Sequence, residues 1–153
     1  MRGAPAIGAA AAYGIALLAS GIAEDQYDAF YSRFKELKDY LASSRPTAVN
    51  LFWALNRMEA AVIANKERGV AAIKELLFEE ADRIREEDIQ ISRGIGEIGF
   101  GLLKELKKEG KEIGILTHCN AGTLATAKYG TATAPMYLSL IHISEPTRPE
   151  PIS

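Results

Sequence analysis

The chain of 153 residues holds one cysteine, Cys119, two histidines and one tryptophan, and its 18 basic and 20 acidic side chains leave a net charge of only −2. Each scarcity excludes something. A single cysteine forbids an internal disulfide and suits a reducing compartment, so a cytoplasmic location is expected. Cys119 with one usable histidine supplies too few ligands for any zinc spacing, and no metal site is expected. Balanced charge gives no basic footprint for nucleic acid. The longest apolar run, residues 4–19, is rich in alanine and glycine and too short to span a bilayer, so no membrane partner is expected either. Gly8, Tyr13 and Gly14 interrupt that run, which argues against a signal peptide.

What is present is helical periodicity. Small apolar residues over 5–20 predict a closely packed, buried helix stopped at Gly21. Tyr27, Phe30, Tyr31, Phe34, Leu37 and Leu41 then mark one face of an amphipathic helix, with Lys35, Glu36, Lys38 and Asp39 opposite. Pro46 suits the first turn of a third helix, running to about Asn65, because its missing N–H is unsatisfied there in any case. Beyond Gly69, the apolar positions from Val70 to Ile84 predict a fourth helix, and those from Ile89 to Leu106 a fifth, ended by Gly110. The acidic residues Asp25, Asp28, Glu79, Glu80, Glu86, Glu87 and Asp88 lie in charge-rich helical stretches and are expected on solvated faces. Gly94, Gly96, Gly99 and Gly101 imitate a phosphate-binding loop only in spacing. Such a loop must follow a strand and open a helix, whereas these glycines sit within a helical pattern and are expected to allow close helix packing.

After Gly110 the pattern changes. The apolar run Ile113-Gly114-Ile115-Leu116 predicts a buried parallel strand, and the string His118-Cys119-Asn120-Ala121-Gly122 directly behind it predicts a reactive loop, since ligands in open α/β sheets sit beyond the carboxyl ends of strands. A free cysteine is more often a buried small hydrophobe; position alone does not make Cys119 catalytic. His118 is a poor dyad partner, because adjacent residues of an extended segment point to opposite sides. Too little chain follows for a complete sheet. The expectation is therefore a helical domain over 1–110, the first strand and site loop of an α/β domain over 111–138, and an atypical tail over 139–153. That tail contains three prolines, lacks helical period and resembles translated sequencing-adapter read-through. The chain reads as truncated.

Three separated strings carry a resemblance: Arg2-Gly3-Ala4-Pro5-Ala6-Ile7-Gly8, Ser44-Arg45-Pro46-Thr47-Ala48-Val49-Asn50-Leu51, and Leu116-Thr117-His118-Cys119-Asn120-Ala121-Gly122 with Leu124-Ala125-Thr126 and Tyr129-Gly130-Thr131 behind it. Together they resemble the methylthioribose-1-phosphate isomerase family, which also includes the alpha, beta and delta regulatory subunits of a translation-initiation nucleotide-exchange factor. The resemblance spans about residues 2–138. It departs at Ser92 and Ile98, where an Asn and a His are common.

This resemblance implies an α-helical N-terminal domain followed by the start of a Rossmann-like α/β domain. It also implies conversion of 5-methylthioribose 1-phosphate to 5-methylthioribulose 1-phosphate in methionine salvage, a sugar-phosphate partner, no cofactor and a homodimeric full-length protein. Carried over by position, Arg2, Gly3 and Ala4 bind substrate, Arg45 contacts the phosphate and Cys119 is the catalytic thiol. Glycine permits close backbone approach to an anion, and arginine offers a planar, permanently charged fork. The family's catalytic Asp lies further along the second domain, so this fragment is expected to be inactive. Alternative readings are a related ribose-bisphosphate or deoxyribose-phosphate isomerase, and a non-catalytic regulatory subunit. Retention of Cys119 and of Arg2-Gly3-Ala4-Pro5 disfavours the last.

Overall fold

Small apolar side chains on every side make the first helix, α1 (Ala4–Ser20), the element around which three others pack. The computed structural model describes residues 3–107, 113–118 and 120–144. Helix α1 carries no charge, starts with Pro5 in its first turn and ends where the Gly21 N–H donates to the Leu18 carbonyl. Against it lie α2 (Tyr27–Ser43), α3 (Val49–Ala64) and α4 (Val70–Leu106). The core gathers Ile15 and Ala16 of α1, Phe30 and Phe34 of α2, Leu55 and Met58 of α3, and Ile73 and Leu77 of α4, all fully buried. Each phenylalanine contributes about 2–3 kcal/mol through burial. Gly69, at φ +81°, turns the chain into α4, a conformation that side chains with a Cβ rarely adopt.

The structure corrects several expectations. Helices four and five are one continuous element of 37 residues, about 55 Å long at 1.5 Å per residue. The charged residues between Ile84 and Ile89 interrupt the apolar period but include no helix breaker, so the helix continues. Pro46 lies in a turn before α3, closed by the Ala48 N–H donating to the Arg45 carbonyl at 3.0 Å, because proline fits the second position of such a turn equally well. A final helix, α5 (Ala134–Ser144), was not legible as one and continues past residue 138. Its Ala134 and Leu138 are buried against α4.

Among the described residues there is no β-strand. Residues 113–118 are irregular and exposed, with Leu116 99% accessible. A parallel strand exists only beside a neighbour that accepts its hydrogen bonds, and no described segment provides one. What stands is an all-helical domain. The Gly110 stop lies outside the described residues.

The glycines of α4 behave as expected at two of four positions. A Cβ on Gly96 would lie 2.6 Å from the Leu138 Cδ1, and one on Gly99 would overlap the Pro135 ring; Gly94 and Gly101 meet nothing within 4 Å. Two glycines thus seat α5.

Lys38, expected on the solvated face of α2, instead joins α2 to α3. Its ammonium donates to Glu59 Oε2 at 2.5 Å and to Asn56 Oδ1 at 2.7 Å, while the Tyr31 hydroxyl donates to Glu59 Oε1 at 2.9 Å. Burial pushes the Glu59 carboxyl up, but the Lys38 and Tyr31 hydrogen bonds outweigh it and hold the group below the usual 4.5. A carboxylate whose pKa is lowered by folding adds stability above its unfolded pKa and loses it as pH falls through the folded value. Glu59→Gln should therefore cost about 1–3 kcal/mol at pH 7, and urea denaturation should show the gap to the parent chain closing below pH 4.5.

Candidate functional site

Two helix N-termini converge at one end of the domain. Gly3 precedes the first residue of α1 and Ala48 that of α3, and neither start has a side-chain cap or an acidic residue in its first turn. First-turn N–H groups without intrahelical acceptors carry partial positive charge and favour anions. Between the two starts lies a cleft of about 290 Å³ lined by Ala4, Ile7, Arg45, Thr47, Ala48, Val49 and Asn50. The turn described above delivers Arg45 to this cleft, where its side chain is exposed.

The segment from Asn120 to Thr133 folds against the same end of α1. Its Ala121 carbonyl accepts from the Thr131 N–H at 2.9 Å and the Thr133 hydroxyl at 2.7 Å. The Thr126 hydroxyl donates to the Lys128 carbonyl at 2.6 Å and accepts from the Gly130 N–H at 3.0 Å. Tyr129 and Gly130 have φ of 66° and 81°, and a Cβ on Gly130 would lie 2.6 Å from the Ala121 carbonyl. Two contacts fix this loop on the helices. The Ala127 N–H donates to Asp88 Oδ2 of α4 at 2.6 Å, and Gly3 packs so tightly on the Ala125 backbone that a Cβ there would overlap it.

A second cleft, of about 380 Å³, adjoins the first. Val49 and Asn50 line both, Ala4 faces one and Pro5 the other. It is lined by the apolar Pro5, Val49, Trp53, Ile84 and Ile91 and by the polar Asn50, Glu87 and Asp88. Behind it, the Arg57 guanidinium donates through Nε to Glu80 at 2.6 Å and through Nη1 and Nη2 to Glu87 at 2.5 and 2.8 Å. Arg83 also pairs with Glu80, at 2.5 Å. Hydrogen bonding to Arg57 holds the Glu87 carboxyl below its usual range, and the Glu87 bond in turn raises Arg57. Arg57 lies 5.6 Å from the Trp53 ring centroid. Among the described residues no three His, Cys, Asp or Glu side chains gather as metal ligands would, and no helix is long and apolar enough to cross a membrane.

The model of the initiation factor 2 subunit family matches residues 1–144. The chain belongs to this family. It is 55% identical over 139 residues to a 5-deoxyribose 1-phosphate isomerase of Clostridium botulinum, and 55% identical over 138 residues to a methylthioribose-1-phosphate isomerase of Symbiobacterium thermophilum. These alignments cover 91% and 90% of this chain but 38% and 37% of those proteins. Among solved structures it is similar to 5-methylthioribose 1-phosphate isomerase from Pyrococcus horikoshii OT3, with a TM-score of 0.78, 40% identity and coverage of 93% of this chain and 38% of that one. The translation initiation factor eIF-2B subunit delta from A. fulgidus gives a TM-score of 0.78 at 41% identity, covering 93% of this chain and 39% of that one. The chain thus spans under two-fifths of the relatives it matches.

In this family member the structure brings Ala4 and Arg45 to one cleft and sets Gly3 directly on the loop that follows Asn120. Arg2 and Cys119 lie outside the described residues. Two acidic residues expected on solvated faces are not there. Glu80 is buried between two arginines, and Asp88 is half-buried and holds the loop, since a carboxylate can leave solvent where charged or backbone donors replace water. Trp53 was not singled out from sequence, Asn50 stood in a motif string without a role of its own, and Asp88 was expected only on a solvated face. Their signal was there in the spacing of Asn50 and Trp53 on α3, and of Ile84, Asp88 and Ile91 on α4, each set sharing one helix face.

Gly3→Ala tests the packing that joins the two parts. The added methyl must displace the Ala125 backbone, so the variant should lose about 1–3 kcal/mol, and hydrogen exchange at Ala127 and Gly130 should accelerate while the core amides of α2 stay protected.

Proposed function

We propose that this chain is the N-terminal part of a sugar-1-phosphate isomerase, and that its cleft between the α1 and α3 N-termini takes the phosphate. The observation that supports this best is the convergence of Arg45 with two uncapped helix starts on one cavity, in a chain 55% identical to two sugar-1-phosphate isomerases. Arg45 supplies the permanent charge, and the helix starts supply N–H donors that need no reorganisation on binding. Arg2, Gly3 and Ala4 complete the phosphate and sugar contacts.

The reaction proposed is aldose to ketose, with 5-methylthioribose 1-phosphate as substrate and methionine salvage as setting. A hydrogen leaves C2 and one is delivered to C1, so C2 is oxidised as C1 is reduced and no external redox cofactor is consumed. The C1 phosphate masks the aldehyde, and ring opening must precede or accompany the transfer. Cys119 is the proposed catalytic thiol, working with an Asp outside this chain, either through proton transfers or through a hydride shift. Residues 111–138 are proposed to form the opening strand and site loop of a Rossmann-like second domain, in which 113–116 gains the neighbouring strand it needs. Dimerisation through that domain and a cytoplasmic location belong to the same reading. This chain alone is proposed to be inactive.

A second reading is a non-catalytic regulatory subunit. Its support is the TM-score of 0.78 to an eIF-2B delta subunit, equal to that of the isomerase. The two separate experimentally. Arg45→Ala should weaken binding of 5-deoxyribose 1-phosphate to the chain by about 30-fold, on the order of 2 kcal/mol for hydrogen bonds to a charged group, measured by calorimetry with an unchanged circular dichroism spectrum. In the longer gene product, Cys119→Ala should abolish turnover and retain binding. Sugar-phosphate affinity that ignores Arg45, or turnover that ignores Cys119, overturns the isomerase assignment.

A further inference from the structure

Asp88 has no part in the reading above, and α4 itself gives it none. It lies in the interior of that helix, where aspartate is a poor helix former because its side chain competes for backbone hydrogen bonds. Its neighbour Glu87 is taken up by Arg57, whereas Asp88 forms no ion pair among the described residues. Its Oδ2 instead accepts the Ala127 N–H, 39 positions along the chain, at 2.6 Å. A bond from a backbone donor to a carboxylate is both directional and charge-assisted.

What this bond holds is a unit closed on itself. The Thr131 N–H and the Thr133 hydroxyl both donate to the Ala121 carbonyl, and the Thr126 hydroxyl bridges Lys128 and Gly130. Tyr129 packs edge-on against Tyr137 of α5, with ring centroids 5.9 Å apart. Such a loop moves as one body. It meets the body of helices at two neighbouring points, Gly3 against the Ala125 backbone and Asp88 at the Ala127 N–H. Packing at Gly3 keeps the loop close but sets no direction, so a loop held there alone would be free to pivot. The hydrogen bond two residues on removes that freedom.

Both ends of this arrangement bear on the proposed chemistry. Gly3 directly precedes Ala4, which lines the phosphate cleft, and its carbonyl accepts the Ile7 N–H of the first turn of α1 at 3.0 Å. At the other end, Asn120 directly follows Cys119 in the chain. The loop therefore links the proposed thiol to the helix start at the proposed phosphate site. Misplacing a reacting group by about 1 Å costs on the order of 100-fold in rate.

We propose that Asp88 is a positioning residue of the isomerase: by accepting the Ala127 N–H it fixes the orientation of the loop that follows Cys119 against the α1 start. The proposal rests on the isomerase reading above and adds a residue to its machinery. Asp88 acts through the loop and touches no reacting atom in this role.

The experiment compares turnover of 5-methylthioribose 1-phosphate by the longer gene product with that of its Asp88→Ala and Asp88→Asn variants. Alanine removes the acceptor and is the better helix former, so α4 is not weakened. Asparagine keeps an oxygen for the Ala127 N–H and removes the charge. Asp88→Ala should lower kcat about 30- to 100-fold with KM within about threefold of the parent, and Asp88→Asn should recover at least about tenfold of that loss. In the chain itself, Asp88→Ala should speed hydrogen exchange at Ala127, while calorimetry with inorganic phosphate gives the parent's affinity. Turnover of Asp88→Ala within twofold of the parent, a loss carried by KM, or an Asn variant as impaired as the Ala variant overturns the positioning role, and Cys119-dependent turnover in the parent then leaves the isomerase reading standing. A parent without Cys119-dependent turnover overturns the isomerase reading and the positioning role with it.

Discussion

The close approach of α1 to α3 governs the geometry of the whole domain. Helix axes come together only as far as the side chains between them allow, and α1 presents alanine and glycine where it meets α3. A Cβ on Gly8 would lie 3.3 Å from the Asn50 carbonyl, so the two helices are close to backbone contact near their starts. This places two uncapped N-termini at the mouth of one cleft. A larger residue on α1 would open the core and separate the helix starts, weakening packing and site together.

Helix α4 carries this arrangement outward. Its first half closes the core through Ile73, Leu77 and Ala81, and its second half holds α5 on Gly96 and Gly99. Asp88 lies between them, where the helix leaves the core and the loop after Asn120 meets it. The glycines cost helix propensity, about 1 kcal/mol each relative to alanine, and the contacts of Leu138 and Pro135 with two of them offset that cost. The loop is consequently held from both sides, by Gly3 of the α1 start and by Asp88 of α4.

Sequence made the helices legible because α1 is an unbroken run of small apolar residues stopped at Gly21 and α2 follows a clear period, and Phe30 and Phe34 sit where that period puts them. It failed where periodicity and structure part company. The charged residues 85–88 look like a boundary and are continuous helix, because charge alone breaks no backbone hydrogen bond. Ala134, Pro135 and Leu138 hold a helix start and a buried face, but the segment is too short to show a period before the unrelated-looking tail. Residues 113–116 have strand composition without a strand, since pairing depends on a partner that local sequence cannot supply. Motif pointed to Gly3, Ala4 and Arg45, which lie at or beside the cleft between the α1 and α3 starts; their part in binding is the proposal made above. Asp88 and Trp53 act through contacts with residues about forty positions away or on a neighbouring helix, and no local pattern announces such contacts.

The electrostatic layout of the site follows from which carboxylates are matched. Arg57 and Arg83 take up Glu80, and Arg57 also takes up Glu87, so that network presents little net charge to the adjoining clefts. The Arg45 guanidinium and the first-turn N–H groups lie together at the cleft between the helix starts, and the Asp88 carboxylate lines the adjoining one, where it accepts from the Ala127 N–H. On the proposed reading, a sugar monophosphate has one favourable orientation in this field. Reversing it exchanges attraction for repulsion. An apolar wall cannot orient a ligand alone, because hydrophobic contact is non-directional. Fixed charge of both signs supplies the direction, and the Val49–Asn50 wall shared by the two clefts sets where the sugar between them must lie.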